Sequence, residues 1–306
     1  MARGNIGIIG MGWVGASVAI SILQRGLCKR LYVADIRHKI AEGEAMDLNH
    51  GSSFFPTAET VACTIADMQA CDAIVITAGR GGKPGETRLA LLNENILIAQ
   101  SISDQLKGYQ GLLIIVSNPV DVLTYYYQKF TEMPPERVIG TGTMLDTARL
   151  REMIGRQLKV DPKSVHADVI GEHGDSEVVI WSNARIGSNP ISNWQGWNAV
   201  WEEEIAAQVK RAAQEIIKRK GATNHAIGLV TATLLKWLLR GDRRIVTIST
   251  VMQGHFGLED VALSVPMLIG EEGVDRGISM DLTTSEHQAL MNSARILQHA
   301  INSVKA

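Results

Sequence analysis

The stretch Gly171-Glu172-His173-Gly174-Asp175-Ser176-Glu177 holds one imidazole between two glycines, with a carboxylate on either side. Histidine titrates close to neutral pH, so the chemistry available here is proton transfer to or from a reacting atom. A lone histidine is more often a surface or satisfied core residue, and this one gains meaning only from its company. Asp146 and Arg149 stand three apart in a helical segment and share a face, which alone reads as a modest ion pair. Arg88 follows "GRGGKPGET", three glycines and a proline between a strand and a helix, the composition of a mobile loop. By itself Arg88 reads as a surface helix charge.

A second kind of chemistry is written near the N-terminus. "GMGWVG" places Gly10, Gly12 and Gly15 directly after the strand "NIGII" and at the head of a helical pattern from Val14 to Leu23. Gly10 would permit the tight turn, Gly12 the approach of backbone to a pyrophosphate, and Gly15 close helix–strand packing, with the helix N-terminus facing the phosphates. Asp35 ends the next strand, "RLYVADI", twenty residues after Gly15, where a carboxylate can accept both hydroxyls of an adenosine ribose. A carboxylate there also repels a 2′-phosphate, so NAD is expected over NADP; Arg37 and Lys39 offset that repulsion in part.

The elements that must position these groups follow a βα alternation. "IGII", "RLYVADI", "DAIVITAG", "GLLIIVSNP" and "RVIGTG" are near-continuous apolar strands with amphipathic segments between them. That pattern predicts an α/β fold: a Rossmann doubly wound parallel sheet with ligands beyond the carboxyl ends of its strands. After about residue 141 the pattern changes. A helix from Thr143 to about Leu158, strands from His166 to Ile170 and Val178 to Ile186, a long helix from Trp197 to Lys220, the strands "IVTISTV" and "VALSVPMLIG", and a helix from Ser285 to Val304 predict an α+β substrate domain. The expected division is a dinucleotide-binding domain over 1–141 and a substrate-binding, catalytic domain over 142–306, packed closely because no linker separates them. Trp194, Trp197 and Trp201 fall on one stripe if the helix begins there.

Composition sets the frame. A chain of 306 residues with net charge -2 carries no basic field for nucleic acid or anionic membrane, so its expected partners are small molecules or copies of itself. Cys28, Cys63 and Cys71 lack metal-ligand or disulfide spacing, which fits reduced thiols, a cytoplasmic location and no metal site. The apolar N-terminal run has four glycines and no cleavage-site pattern, so neither a signal peptide nor a membrane span is expected.

"ITAGRGGKPGETRLALLNEN", "VSNPVDVLTY", "GTGTMLDTARLR", "GEHGDSEVVIWS" and "KGAT", in this order after the glycine motif, resemble the L-lactate/malate dehydrogenase family over essentially the whole chain, and most of all its bacterial L-lactate dehydrogenase branch. The resemblance implies NAD-dependent interconversion of a 2-oxo acid and an L-2-hydroxy acid. Reducing such an acid requires a proton donor for the ketone oxygen, a cation for the developing alkoxide and a clamp for the carboxylate. The family match assigns these to His173, with Asp146 on its other ring nitrogen; to Arg88, brought in by closure of its loop; and to Arg149, through two parallel hydrogen bonds. It places Asn118 at substrate and nicotinamide ribose, Thr77, Ala78 and Gly79 at the cofactor, and Thr223 in the substrate pocket. Asn224 and His225 depart from the aromatic residues common after that threonine. Glu172 and Asp175 are left with structural hydrogen bonding.

Substrate choice rests on Gly82, where lactate enzymes of the family commonly carry glutamine and malate enzymes arginine. Enclosing a second substrate carboxylate without a cation costs several kcal/mol, which favours pyruvate and L-lactate over malate, unless Arg80 or Lys83 supplies the charge. A missing side chain also makes room for larger 2-hydroxy acids. Arg151 and His166 match the pair that binds fructose 1,6-bisphosphate in allosteric bacterial members, where two subunits meet across a twofold axis, so a homo-oligomer, dimeric or tetrameric, is expected. The rival class is a dinucleotide-binding structural or regulatory protein without turnover, which would have no use for a proton donor.

Overall fold

The computed structural model describes residues 4–81 and 87–304; the side chain of Arg88 also lies outside the described part. In chain order the elements are β1 (Gly4–Ile9), α1 (Trp13–Gln24), β2 (Cys28–Ala34), α2 (His38–His50), β3 (Glu59–Ala62), β4 (Ala73–Ile76), α3 (Arg88–Gln105), β5 (Leu112–Ile115), α4 (Val120–Thr131) and β6 (Val138–Gly140). There follow α5 (Met144–Leu158), β7 (Val165–Ile170), β8 (Val178–Ile186), β9 (Asn189–Pro190), α6 (Ala199–Lys220), α7 (His225–Leu239), β10 (Arg244–Gln253), β11 (Glu259–Gly270), β12 (Gly273–Gly277) and α8 (Thr284–Ser303).

The strands of the first half are short, apolar and mostly buried, as a sheet covered on both faces requires. They pair in parallel in the order β3-β2-β1-β4-β5-β6, the doubly wound arrangement whose ligand crevice opens between β1 and β4. The sheet does not stop there. Strand β10 joins β6 antiparallel through Ser249 and Gly140, and β11 and β12 extend it to nine strands. A separate three-stranded sheet, β7-β8-β9, packs with α5 and α6 around its own core of Leu150, Ile154, Val169, Ile186, Ile205 and Val209.

Several local expectations are corrected. The long helix begins at Ala199, because the Asn198 side chain accepts the Trp201 N–H and caps it there. Trp194 and Trp197 therefore precede the helix, and the stripe is a cluster in which the Trp197 ring lies 5.7 Å from Trp181 and 5.9 Å from Trp201. Helix α7 has no counterpart in the sequence pattern. The closing helix opens on a capping box between Thr283 and Glu286, one residue earlier than the periodicity indicates.

Candidate active site

The glycine turn is built as its spacing implies. Gly10 has φ +99°, and a Cβ there would lie 2.6 Å from the Ala78 nitrogen; at Gly15 it would lie 2.0 Å from the Gly10 carbonyl oxygen. Gly12 differs: a Cβ on it would meet no protein atom. It is also the N-cap of α1 and supplies no side chain to the first-turn N–H groups, so those donors and the positive end of the helix dipole face open space. Thr77 and Ala78 form the opposite wall at the end of β4, with the Thr77 hydroxyl donating to Gly10 O at 2.5 Å. Gly79 continues that wall between Asn95 and Ser117.

Asp35 stands just past the end of β2. Its Oδ2 accepts the Met11 N–H and its Oδ1 the Arg37 N–H, both at 2.9 Å. Each carboxylate oxygen has a further lone pair, so the residue can brace the glycine turn and still receive ribose hydroxyls. Open space at Gly12, an uncapped helix N-terminus and this acid together fit a dinucleotide.

The catalytic candidates gather beyond the ends of β5 and β6. Helix α5 starts directly after β6, and its first turn carries Asp146 with a side chain only 2% exposed. One carboxylate serves two cations: Oδ2 lies 2.5 Å from His173 Nδ1, and Oδ1 accepts from Arg149 Nη1 at 2.7 Å. Burial pushes the Asp146 carboxyl up, but the charges and hydrogen bonds of His173 and Arg149 outweigh it and hold the group below the usual carboxylate range. The helix N-terminus favours the same ionised form. For His173, burial favours the neutral ring; the charge and hydrogen bond of Asp146, with the charge of Asp121, overcome this and raise it to about 9. Since Nδ1 is committed to Asp146, Nε2 is the nitrogen left to meet a substrate.

The turn that carries the imidazole explains its glycines. Gly171 has φ +86°, and a Cβ there would lie 2.7 Å from Ser293 Oγ. The close approach it permits is thus to α8. Gly171 also exchanges two backbone hydrogen bonds with Ser264 of β11. Glu172 folds back onto the N–H and hydroxyl of Ser176, the structural use expected for it.

Arg149 and Asp146 do form the ion pair that helical spacing allows, yet that bond takes one of the five N–H donors of the guanidinium and leaves the fork able to grip a carboxylate. Asn118 follows β5 next to a cis bond to Pro119, and its Oδ1 accepts the Val120 N–H. Thr223 precedes Asn224, which is buried and bonds to Ser17 Oγ of α1 at 2.8 Å while accepting from Lys220 Nζ. An aromatic residue at 224 could not make this tie between the halves. Gly82, Lys83 and the Arg88 side chain lie outside the described residues; Arg80 is bonded to Glu94.

Two carboxyls at the site escaped the sequence reading. Asp121, on the first turn of α4, accepts the main-chain N–H of His173 at 2.7 Å. Burial pushes it up to about 6, against Ser249 and the His173 contacts. Its signal was an acid in the first turn after "SNP", which reads as a helix-dipole residue. Glu177, at the end of the histidine turn, is 5% exposed and left no local signal. Arg151 turns away from the site: its Nη2 bonds Asp168 at 2.9 Å and its Nε the Ala167 carbonyl, while His166 is exposed on β7 opposite Arg185. Among the described residues no group of His, Cys, Asp and Glu is placed to hold a metal, and no helix is long and apolar enough to cross a membrane.

Two family models match the chain: lactate/malate dehydrogenase, NAD binding domain, over residues 4–140, and lactate/malate dehydrogenase, alpha/beta C-terminal domain, over residues 143–306. The L-lactate dehydrogenase of Synechococcus sp. (strain JA-3-3Ab) is 43% identical over 301 residues, covering 97% of this chain and 98% of that protein. That of Clostridium botulinum (strain Hall) is 39% identical over 305 residues, covering 97% and 96%. Among solved structures, a lactate dehydrogenase from a Medee basin deep-sea metagenome library superposes with TM-score 0.95 at 38% identity, covering 99% of both chains. The minor L-lactate dehydrogenase of Enterococcus mundtii, in a ligand-bound form, gives 0.96 at 35% identity with the same coverage.

Proposed function

The chain belongs to the lactate/malate dehydrogenase family, and from that premise we propose that it interconverts pyruvate and L-lactate with NAD. The observation that carries the reading is the Asp146 carboxylate shared between His173 Nδ1 and Arg149 Nη1, which joins a proton donor to a carboxylate clamp within one ion cluster. A module that only binds a dinucleotide would bury this cluster for no purpose.

In reduction, the protonated His173 donates through Nε2 to the ketone oxygen while Asp146 keeps the imidazolium charged. Arg149 receives the substrate carboxylate on two of its donors. Arg88 stabilises the charge that develops on the ketone oxygen. The nicotinamide, when bound, supplies the hydride in reduction and takes it back in oxidation. Gly10, Gly12, Gly15, Asp35, Thr77, Ala78, Gly79 and Asn118 form the cofactor side, within a dinucleotide-binding half of about 1–141. Thr223 lines the substrate side with Arg149, within the catalytic half 142–306, and Gly82 is the position assigned to substrate choice. Arg80 is held by Glu94, which leaves a second substrate carboxylate without that cation and disfavours malate.

The working form is a homo-oligomer in the cytoplasm. Arg151 and His166, repeated across a twofold axis, would surround fructose 1,6-bisphosphate with paired donors. The deciding experiment follows NADH consumption with pyruvate, oxaloacetate and larger 2-oxo acids. Preference for pyruvate supports the reading; preference for oxaloacetate or a branched acid reassigns the substrate, and no turnover with any of them removes it.

A further inference from the structure

Glu177 ends the turn that begins at Gly171 and carries His173, and its N–H donates to the Gly174 carbonyl at 3.3 Å. Its side chain turns inward. Oε1 is buried and has no hydrogen-bond partner among the described residues. Such a carboxyl is costly: an unpaired buried charge loses several kcal/mol of hydration, and a buried polar atom without a partner calls for an explanation. Oε1 itself has no acceptor role among the described residues.

The surroundings supply one. The charges that act on Glu177 are those of Asp146 and Arg149 on α5 and of His173 on its own turn. On the other side it lines an open cavity of about 560 Å³ with Glu172 and Asp175 of the turn and Lys210 of α6, while α8 contributes only Ala289, Asn292 and Ile296. Glu172 is spent on Ser176. Glu177 thus borders this cavity and is within electrostatic reach of the Asp146–His173–Arg149 cluster.

We propose that Glu177 is a positioning residue that acts through His173, adding a third carboxylate behind the imidazolium and exchanging its own proton with solvent through the Lys210 cavity. The inference rests on the reading of His173 as the proton donor. Burial and the Asp146 charge push the Glu177 carboxyl above the usual carboxylate range, against His173, Lys210 and Arg149. Its charge therefore develops as pH rises toward the range where His173 loses its proton. An anion arriving there stabilises the imidazolium, so the enzyme remains a proton donor to higher pH than it would without it.

The test compares wild type with E177Q and E177M in two measurements: the pH profile of kcat/KM for NADH-dependent reduction, and an NMR titration of the His173 ring in the free enzyme. Neither variant carries a charge, and both side chains fit the space. The His173 midpoint is expected to fall by roughly 0.5–1 unit in both variants and in both measurements, with NADH affinity unchanged. An unmoved midpoint in folded protein overturns the proposal, as does failure of both variants to fold, which would make Glu177 structural. H173Q run alongside separates the two levels: if it retains wild-type turnover, the reading of His173 falls; if it is inactive while the E177Q midpoint stays put, only the role of Glu177 falls.

Discussion

Asp121 Oδ2 accepts the main-chain N–H of His173 at 2.7 Å, across 52 residues of chain. Helix α4, which carries Asp121, begins directly after the Asn118-Pro119 pair that closes β5. The imidazole is therefore fixed at its side chain by Asp146 and at its backbone by an element that issues from the parallel sheet. The proposed proton donor and the cofactor crevice share one frame.

Removing the backbone anchor should separate position from charge. D121A leaves a buried N–H without a partner, expected to cost about 1–3 kcal/mol of stability and to lower kcat, whereas D121N keeps an acceptor and most of the activity. The pH dependence has a definite sign. Folding raises Asp121 to about 6, so the native state binds its proton more tightly than the unfolded chain, and this residue makes stability fall as pH rises from about 4 to 6. Denaturant unfolding across that range should show D121N gaining on wild type with increasing pH and levelling off above it. A constant difference would remove the burial argument.

His173 acts with the same sign at higher pH. Its folded value of about 9 exceeds the unfolded one, so its stabilising contribution is complete below about pH 6.5 and is lost as pH rises through 9. Catalysis follows the same proton. kcat/KM for reduction should stay level near neutrality and fall above about 9, while the oxidation limb rises over the same interval. H173Q should abolish both limbs and reduce kcat by ~10²–10⁴, with NADH binding retained by fluorescence titration. Wild-type turnover in that variant would end its assignment as proton donor.

The residues that were legible in the sequence are those whose signal is local. Gly10 and Gly15 are required by contacts within one strand-turn-helix unit, and the parallel strands announce themselves as short apolar runs. Helix α7 was missed because "HAIGLVTATLLKWLL" is apolar on most of its faces and shows no clean helical period. The tryptophan stripe failed for a smaller reason, the cap at Asn198. Asp121 and Glu177 were invisible on other grounds: their significance comes from burial beside a histidine on another element or across a turn, which spacing along the chain does not encode. The junction of β10 with β6, a single pair at Ser249 and Gly140, is equally non-local.

Cofactor choice can be tested at Asp35. Its two oxygens accept the Met11 and Arg37 N–H groups, so the carboxylate is held in a fixed position from which to repel a 2′-phosphate. The Arg37 side chain is 75% exposed and 3.9 Å away, too solvated to cancel that charge. Wild type should prefer NADH. D35S should raise the kcat/KM ratio of NADPH to NADH by about tenfold or more, equivalent to 1.4 kcal/mol or more, while weakening NADH through the looser turn. An unchanged ratio would place cofactor discrimination elsewhere.

The last prediction concerns the anion site expected at Arg151 and His166. His166 is exposed and paired in register with Arg185, which is exposed on the neighbouring strand, so this face carries more cationic groups than the motif alone shows. Against them stands Asp168, two residues from His166, whose Oδ1 receives Arg151 Nη2 at 2.9 Å. Any bisphosphate must displace that carboxylate, and repulsion from it repeats in each subunit of a symmetric assembly. The ion pair is about one-third exposed on both sides, so breaking it costs little, at most ~1 kcal/mol. Leaving a carboxylate beside phosphate costs more. Wild type should accordingly respond weakly to fructose 1,6-bisphosphate, D168N should respond at lower concentration, and R151Q should not respond. Pyruvate saturation with and without millimolar fructose 1,6-bisphosphate, with sedimentation in parallel, reads all three. If D168N and wild type respond identically, Asp168 does not oppose the ligand; if no variant changes in KM, kcat or mass, this face does not bind it.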